Sequence, residues 1–105
     1  MIRVADEVSN AHPALPGHFP GNPIVPGVLL LASVSRAIAT AFHATVAAVP
    51  AVKFMAPLRP GERFDVELDP PDAEASVRFR ILRGPTLIAA GVMRLRETAA
   101  PRRTP

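Results

Sequence analysis

One long apolar stretch dominates the first half of the chain. Between Glu7 and Lys53 the only charged side chain is Arg36, so most of this half is expected to be buried. Within it, VLLLASVSRAIATAFH follows a proline that suits the first turn of a helix, which predicts a core helix from Pro26 to about His43. Apolar residues lie on nearly every side of this helix, so a curved structure has to wrap it almost completely. A membrane-spanning helix is rejected because polar residues and a central arginine interrupt the stretch.

The second half of the chain changes to the two-residue period of half-buried strands. RFDVELD carries acids and SVRFRIL carries arginines at the alternate positions, so antiparallel pairing through DPPDAEA places opposite charges across the ladder. TLIAAGVMRLR is apolar on both faces and predicts a central strand. AVPAVKFMAPL and a short strand from Ile2 to Val8 complete the set. We therefore predict an α+β domain in which an antiparallel sheet curls around one helix.

The length and composition of the chain limit its organisation. A chain of 105 residues forms one domain with one core, which we place at residues 1–97, with a disordered tail at 98–105. The lack of cysteine excludes disulfides, thiolate metal sites and cysteine nucleophiles. Together with a start, MIRVADEV, that has no apolar leader segment, it favours a cytoplasmic location.

The charge of the chain favours an acidic partner. The formal net charge is +3, and eleven of the twelve basic residues are arginine. Nucleic acid is a poor candidate, since the chain has no Trp or Tyr to stack on bases and only five Phe.

A loop of restricted shape precedes the predicted helix. Residues 16–27 contain four prolines and three glycines, so this loop has few conformations to lose on folding. It carries His18 and leads into the helix start, where the N–H groups around Gly27, Val28 and Leu29 lack intrahelical partners. Free amides in an apolar site can stabilise an oxyanion while a neutral histidine transfers a proton. Alternatively, His18 only caps the loop and the amides bind water.

Two segments carry a resemblance to a known family. GHFPGNPIVPGVLLL and AVKFMAPLRPGERFDVEL resemble the signature segments of the hot-dog-fold 3-hydroxyacyl-acyl carrier protein dehydratases of fatty acid biosynthesis, and the likeness extends over residues 15–95. The resemblance implies a hot-dog fold and a lyase that removes water from 3-hydroxyacyl thioesters. It also implies thioesters of acyl carrier protein or coenzyme A as substrates and a dimer joined at the sheet edges. No cofactor is expected, and a metal site built from His12 and His18 is discounted because no Asp or Glu lies near them in the sequence.

The same resemblance assigns roles to individual residues. His18 matches the catalytic histidine, expected in an apolar cleft near Gly27, and Gly27 matches the glycine whose N–H binds the thioester carbonyl. Phe19, Pro26 and Val28 are expected to line the substrate site, together with two residues of the core helix, Ala32 and Arg36. His12 and His43 carry less weight as functional residues.

Position 32 departs from the family pattern. The family uses a Glu or Asp fourteen residues after the histidine to protonate the departing hydroxyl, and this position is Ala32 here. The usual Gln one turn later is Arg36, which could polarise water, pair with a carboxylate from another chain, or simply extend to the surface.

The departure leaves three functions open. Because the family's histidine and acid come from different subunits, the first hypothesis is a dehydratase subunit that needs an acid-bearing hot-dog partner in a heterodimer. The second is an acyl thioesterase on the same scaffold. The third is a non-catalytic, acyl-binding partner subunit.

Overall fold

The computed structural model describes residues 1–9, 11 and 24–96, so the predicted tail at 98–105 lies outside the described part. In chain order the elements are β1 (Ile2–Glu7), α1 (Gly27–Phe42), β2 (Val46–Phe54), β3 (Arg63–Leu68), β4 (Ser76–Arg83) and β5 (Thr86–Leu95).

The five strands form one antiparallel sheet in the order β1-β3-β4-β5-β2. The helix α1 packs against this sheet. β5 is an interior strand and β3 pairs with β4, as predicted. The predicted α+β architecture is therefore confirmed, and β1 and β2 are the two edges of the sheet.

The core lies between the sheet and one side of α1. The helix contributes five buried residues, and β3, β4 and β5 contribute most of the others. The expected packing of one helix against an antiparallel sheet is confirmed, and within the described residues Val28 at the helix start keeps 70% of its surface exposed. A single sheet packs against one face of a helix. The buried helix residues are Leu30, Ser33, Val34, Ala37 and Ile38.

Within residues 1–9, 11 and 24–96, no helix combines the length and apolarity needed to cross a membrane.

The predicted acid and base pairing occurs on the outer face of the sheet. Glu67 lies directly opposite Arg80 in the β3–β4 ladder, and Arg80 Nε lies 3.1 Å from Glu67 Oε1. Arg3 of β1 also donates to Glu67. The hydrogen bonds from Arg3 and Arg80 lower the pKa of Glu67, so this nearly buried carboxylate stays ionised.

The edge strand β2 is shorter than predicted and irregular. It ends at Phe54 rather than Leu58, because the N–H groups of Met55 and Ala56 both reach the Ile88 carbonyl, at 2.8 and 3.3 Å, and the ladder stops there. Its pairing with β5 shifts register between Ala48 and Ala51, around a proline that only an edge strand or a bulge tolerates.

Candidate active site

The start of α1 is formed by Pro26 and Gly27. Pro26 is the N-cap residue, with φ −59° and ψ 143°, and within the described part of the chain no side chain hydrogen-bonds to this helix end. The Leu29 N–H donates to the Pro26 carbonyl at 3.0 Å. The N–H groups of Gly27 and Val28 come too early in the helix to have an acceptor within it. They carry the positive end of the helix dipole. A ligand oxygen at this end of the helix is therefore stabilised.

An apolar cleft of about 420 Å³ lies beside this helix start. The loop residue Val25 donates its N–H to the Leu58 carbonyl at 2.8 Å, which holds the loop against the segment that follows β2. The lining is almost entirely hydrocarbon, which suits an acyl chain rather than a charged ligand. The lining residues are Ile24, Val25, Pro26, Gly27, Leu30, Phe54, Met55, Ala56, Pro57 and Leu58.

The structure separates the candidate residues into two groups. Pro26 and Gly27 line the cleft, as predicted for substrate contact. Val28 instead points its side chain outward, and Ala32 and Arg36 lie further along the helix and do not line the cleft.

Of the three histidines, the structure describes only His43. His18, Phe19 and His12 lie outside the described residues. His43 is the C-cap of α1, where its backbone adopts the left-handed conformation with φ 53°. In the described part of the chain, no three His, Asp or Glu side chains converge as in a metal site.

Arg36 pairs with a carboxylate of its own chain. Its Nη2 lies 3.2 Å from Oδ2 of Asp6 on β1, and the buried Ser33 hydroxyl donates to the same oxygen. Burial by itself raises the pKa of Asp6. The hydrogen bonds from Ser33, the Glu7 N–H and Arg36 lower it by more, so the net pKa lies below its ordinary value of 3.8. Asp6 is therefore an ionised acceptor and a poor proton donor.

Asp6 and Phe54 contact the helix but were not predicted from the sequence. Ile2, Val4 and Asp6 alternate along β1, which places the acid on the side of the sheet that faces the helix, where a carboxylate needs a partner. Phe54 belongs to the Val-Lys-Phe segment, which indicated a strand but not the direction of the ring toward α1. For Asp6, the alternation along β1 was the available sequence signal. For Phe54, no local sequence pattern shows the contact with α1.

The pairing of Asp6 predicts a pH-dependent contribution to stability. Because its pKa is lowered on folding, the ionised form stabilises the folded protein above pH 3.8, and this stabilisation is lost as the pH falls through the folded-state pKa. We expect Asp6→Asn to lower the unfolding free energy by at most about 1 kcal/mol at pH 6, since Arg36 is largely exposed. Urea unfolding between pH 3 and pH 6 measures this difference, which should shrink toward pH 3. A difference that is equal at every pH would contradict the assignment.

Comparisons of the sequence with known proteins find dehydratases. The model of the ApeI-like family, described as ApeI dehydratase, matches residues 1–92. The 3-hydroxyacyl-[acyl-carrier-protein] dehydratase FabZ of Blochmanniella pennsylvanica is 34% identical over 80 residues, which cover 66% of this chain and 53% of the relative. FabZ of Thermomicrobium roseum is 37% identical over 65 residues, which cover 53% of this chain and 44% of the relative. The chain thus spans about half the length of the curated relatives it matches.

Solved structures with the same fold include dehydratase and thioesterase proteins. The dehydratase heterocomplex ApeI:P from Xenorhabdus doucetiae superimposes with a TM-score of 0.78 at 23% identity, covering 90% of this chain and 86% of the other. An uncharacterised protein from Erwinia carotovora subsp. atroseptica gives 0.74 at 25% identity, with 91% and 82% covered. The fluoroacetyl-CoA-specific thioesterase FlK gives 0.65 at 16% identity, with 89% and 85% covered. These structures confirm the hot-dog fold, and the match of the family model over residues 1–92 shows that the chain belongs to the ApeI-like dehydratase family.

Proposed function

We propose that this chain is one subunit of a 3-hydroxyacyl-thioester dehydratase and that its active site is completed by an acid from a hot-dog partner. His18 removes the proton from C2 of the substrate, and the electron pair moves toward the thioester oxygen, which the Gly27 N–H binds. The C2–C3 double bond then forms as the C3–O bond breaks. A carboxylic acid of the partner protonates the leaving hydroxyl, which departs as water.

The apolar cleft beside the helix start is the observation that carries this proposal. It brings hydrocarbon walls and the first N–H groups of α1 together at Gly27, where no side chain of the described residues caps the helix, so an acyl chain and a thioester oxygen can be bound side by side. The family membership and the FabZ relatives support thioesters of acyl carrier protein as the substrate class.

The need for a partner follows from position 32 and its surroundings. Ala32 offers no proton, and the guanidinium of Arg36 is a poor proton donor. Among the described residues, Asp6 is the carboxylate that contacts this part of the helix, and it is held ionised by Ser33 and Arg36. A general acid typically contributes about 10²- to 10⁴-fold in rate, so a subunit without one is a weak dehydratase. The likeness to a protein described as a dehydratase heterocomplex supports a second hot-dog subunit as the source of the acid.

An assay that distinguishes enoyl thioester from free thiol tests the proposed dehydratase function. The purified chain is incubated with 3-hydroxybutyryl and butyryl thioesters of N-acetylcysteamine, alone and after co-expression with a hot-dog chain that carries a helix Glu or Asp. We expect enoyl thioester to form rapidly only in the co-expressed complex. Release of free thiol from the saturated ester would identify a thioesterase instead. Neither product in either sample would leave an acyl-binding subunit.

The edge strand β2 is the surface that we assign to the partner or to a second copy. It lies at one end of the sheet and exposes four large apolar side chains at and just beyond the strand, which a soluble edge normally avoids. Pairing of two β2 strands would extend the sheet across the interface and cover these side chains. They are Val49, Val52, Phe54 and Met55, with exposures of 38, 36, 47 and 44%.

Light scattering tests the edge assignment. At micromolar concentration we expect a mass twice that of one chain, and we expect Val52→Lys to shift the protein toward monomer because it adds a charge to the joined edge. The matched control is Ala5→Lys, which places the same charge on the opposite edge strand β1, across from Asp65. A monomeric wild-type chain, or equal loss of the dimer in both variants, would contradict the assignment.

A further inference from the structure

One side of the sheet carries positive charge without any acid. The neighbouring strands β4, β5 and β2 contain five cationic residues and no Asp or Glu, whereas β1 and β3 carry two acids each. Arg80 and Arg83 pair with carboxylates from other segments. Arg78, Arg94 and Lys53 are exposed, and within the described part of the chain they make no ion pair.

Lys53 and Arg94 bring this charge to the free edge β2. Phe54 points toward α1, so the alternation of side chains along β2 directs Lys53 to the outer face of the sheet. Arg94 follows the buried Met93 in β5 and therefore faces the same way. Its partner in the ladder is Ala48 of β2, whose small side chain leaves the arginine free to extend toward the edge.

Pairing of two identical β2 strands would bring two lysines close together. The four exposed apolar side chains of this edge run from Val49 to Met55, so a two-fold pairing that covers all of them is centred on Val52. Lys53 then lies diagonally across from Lys53 of the second copy on the same face, with about 7 to 8 Å between the Cα atoms. At low salt these charges repel, since the Debye length is about 10 Å at 0.1 M ionic strength. A second copy of this chain is therefore a poor electrostatic match for the edge.

We propose that the β2 edge selects a hot-dog partner subunit that carries acidic side chains on the outer face of its own edge strand, in preference to a second copy of this chain. The inference rests on the proposed function, which assigns β2 to a partner or a copy, and it adds the property that decides between them. Burial of the apolar side chains stabilises either pairing. An acid near Lys53 or Arg94 attracts only in the mixed pair, so the same charges that favour the partner disfavour the homodimer.

A charge-reversed copy of the full chain serves as a model of an acidic partner. Lys53→Glu is mixed in equal amounts with the ¹⁵N-labelled wild-type chain, and native mass spectrometry counts the mixed dimers. Random assortment makes half of the dimers mixed. We expect about three quarters or more, a preference of about threefold, because opposite charges at the edge replace like charges. Raising ammonium acetate from about 0.02 to about 0.5 M should return the mixed fraction toward one half, because salt screens these exposed charges.

Arg63→Glu is the matched control. It reverses an exposed charge on β3, on the other side of the sheet, and should mix at random with the wild-type chain. Arg94→Glu is a second test variant and should behave as Lys53→Glu does. A preference for mixed dimers in either test variant supports the proposal, even if the wild-type chain is monomeric by itself.

Random mixing of both test variants at low salt, no mixed dimer in either, or an equal preference in the control would overturn the proposal. The failure of this proposal differs from the failure of the proposed function. Random mixing in a chain whose co-expressed complex forms enoyl thioester would refute only the selection by charge. Preferential mixing in a chain that never forms enoyl thioester would refute the dehydratase function and leave the selection by charge intact.

Discussion

Replacing Ala32 by glutamate and Arg36 by glutamine in the same chain is expected to raise homodimer dehydration of 3-hydroxyacyl thioesters by about 10²- to 10⁴-fold. This increase in rate is the contribution of one general acid at position 32, where the family has its Glu or Asp. The glutamate supplies the proton that lets hydroxide leave C3 as water. Turnover of 3-hydroxybutyryl-N-acetylcysteamine, followed by the absorbance of the enoyl thioester, measures the change.

Arg36→Gln is needed because the positive charge of Arg36 would act on the new glutamate. An arginine one turn from the new glutamate would lower its pKa and hold it ionised, which removes the proton to be donated. In the wild-type chain Arg36 is balanced by Asp6, so Arg36→Gln also removes the cation that would otherwise be shared between two carboxylates. The control is Ala32→Gln with Arg36→Gln, which has nearly the same shape and no acid. An equal gain in this control, or a wild-type homodimer that is already fast, would contradict the half-site hypothesis.

Mixing two inactive homodimers is expected to produce an active heterodimer. The first chain is wild type and has His18 without an acid. The second carries His18→Ala, Ala32→Glu and Arg36→Gln, and so has the acid without the histidine. If each site takes its histidine from one subunit and its acid from the other, one of the two sites in each heterodimer is complete. After full exchange of equal amounts, about a quarter of all sites should be active, as the two-fold symmetry of the dimer requires.

The same assay measures this complementation. Each homodimer alone should remain at least about 10²-fold slower than the mixture, because each lacks one proton-transfer group. Adding His18→Ala to the otherwise wild-type chain serves as the control and should abolish the activity of the mixture. If the mixture is inactive while the chain with Ala32→Glu and Arg36→Gln is active by itself, the histidine and the acid work within one subunit and the shared site is wrong.

The elements of this fold follow from local chemistry. A run of some forty residues carries one charge, and Pro26 within it marks the start of the helix, because burial and the fixed φ of proline act on the segment itself. The alternation in β3 and β4 predicts both strands, and the opposite charges of Glu67 and Arg80 also predict that the two strands are neighbours. The family signature placed Gly27 at the helix start and marked Ala32 as the position where the acid is missing. These results needed no tertiary information, since period, turn residues and motif are properties of contiguous sequence.

Tertiary structure decided how the parts meet. Asp6 and Arg36 are thirty residues apart in the chain, and only the packing of β1 against α1 makes them an ion pair that occupies the arginine. The contact between Phe54 and Gly27 depends in the same way on where β2 ends, which is set by two N–H groups that share the Ile88 carbonyl. The exposure of Val28 reflects the fact that a single sheet covers one face of a helix. Side-chain patterns determine which residues prefer burial, whereas long-range packing determines which of them touch, and the chemistry of this site depends on the touching pairs.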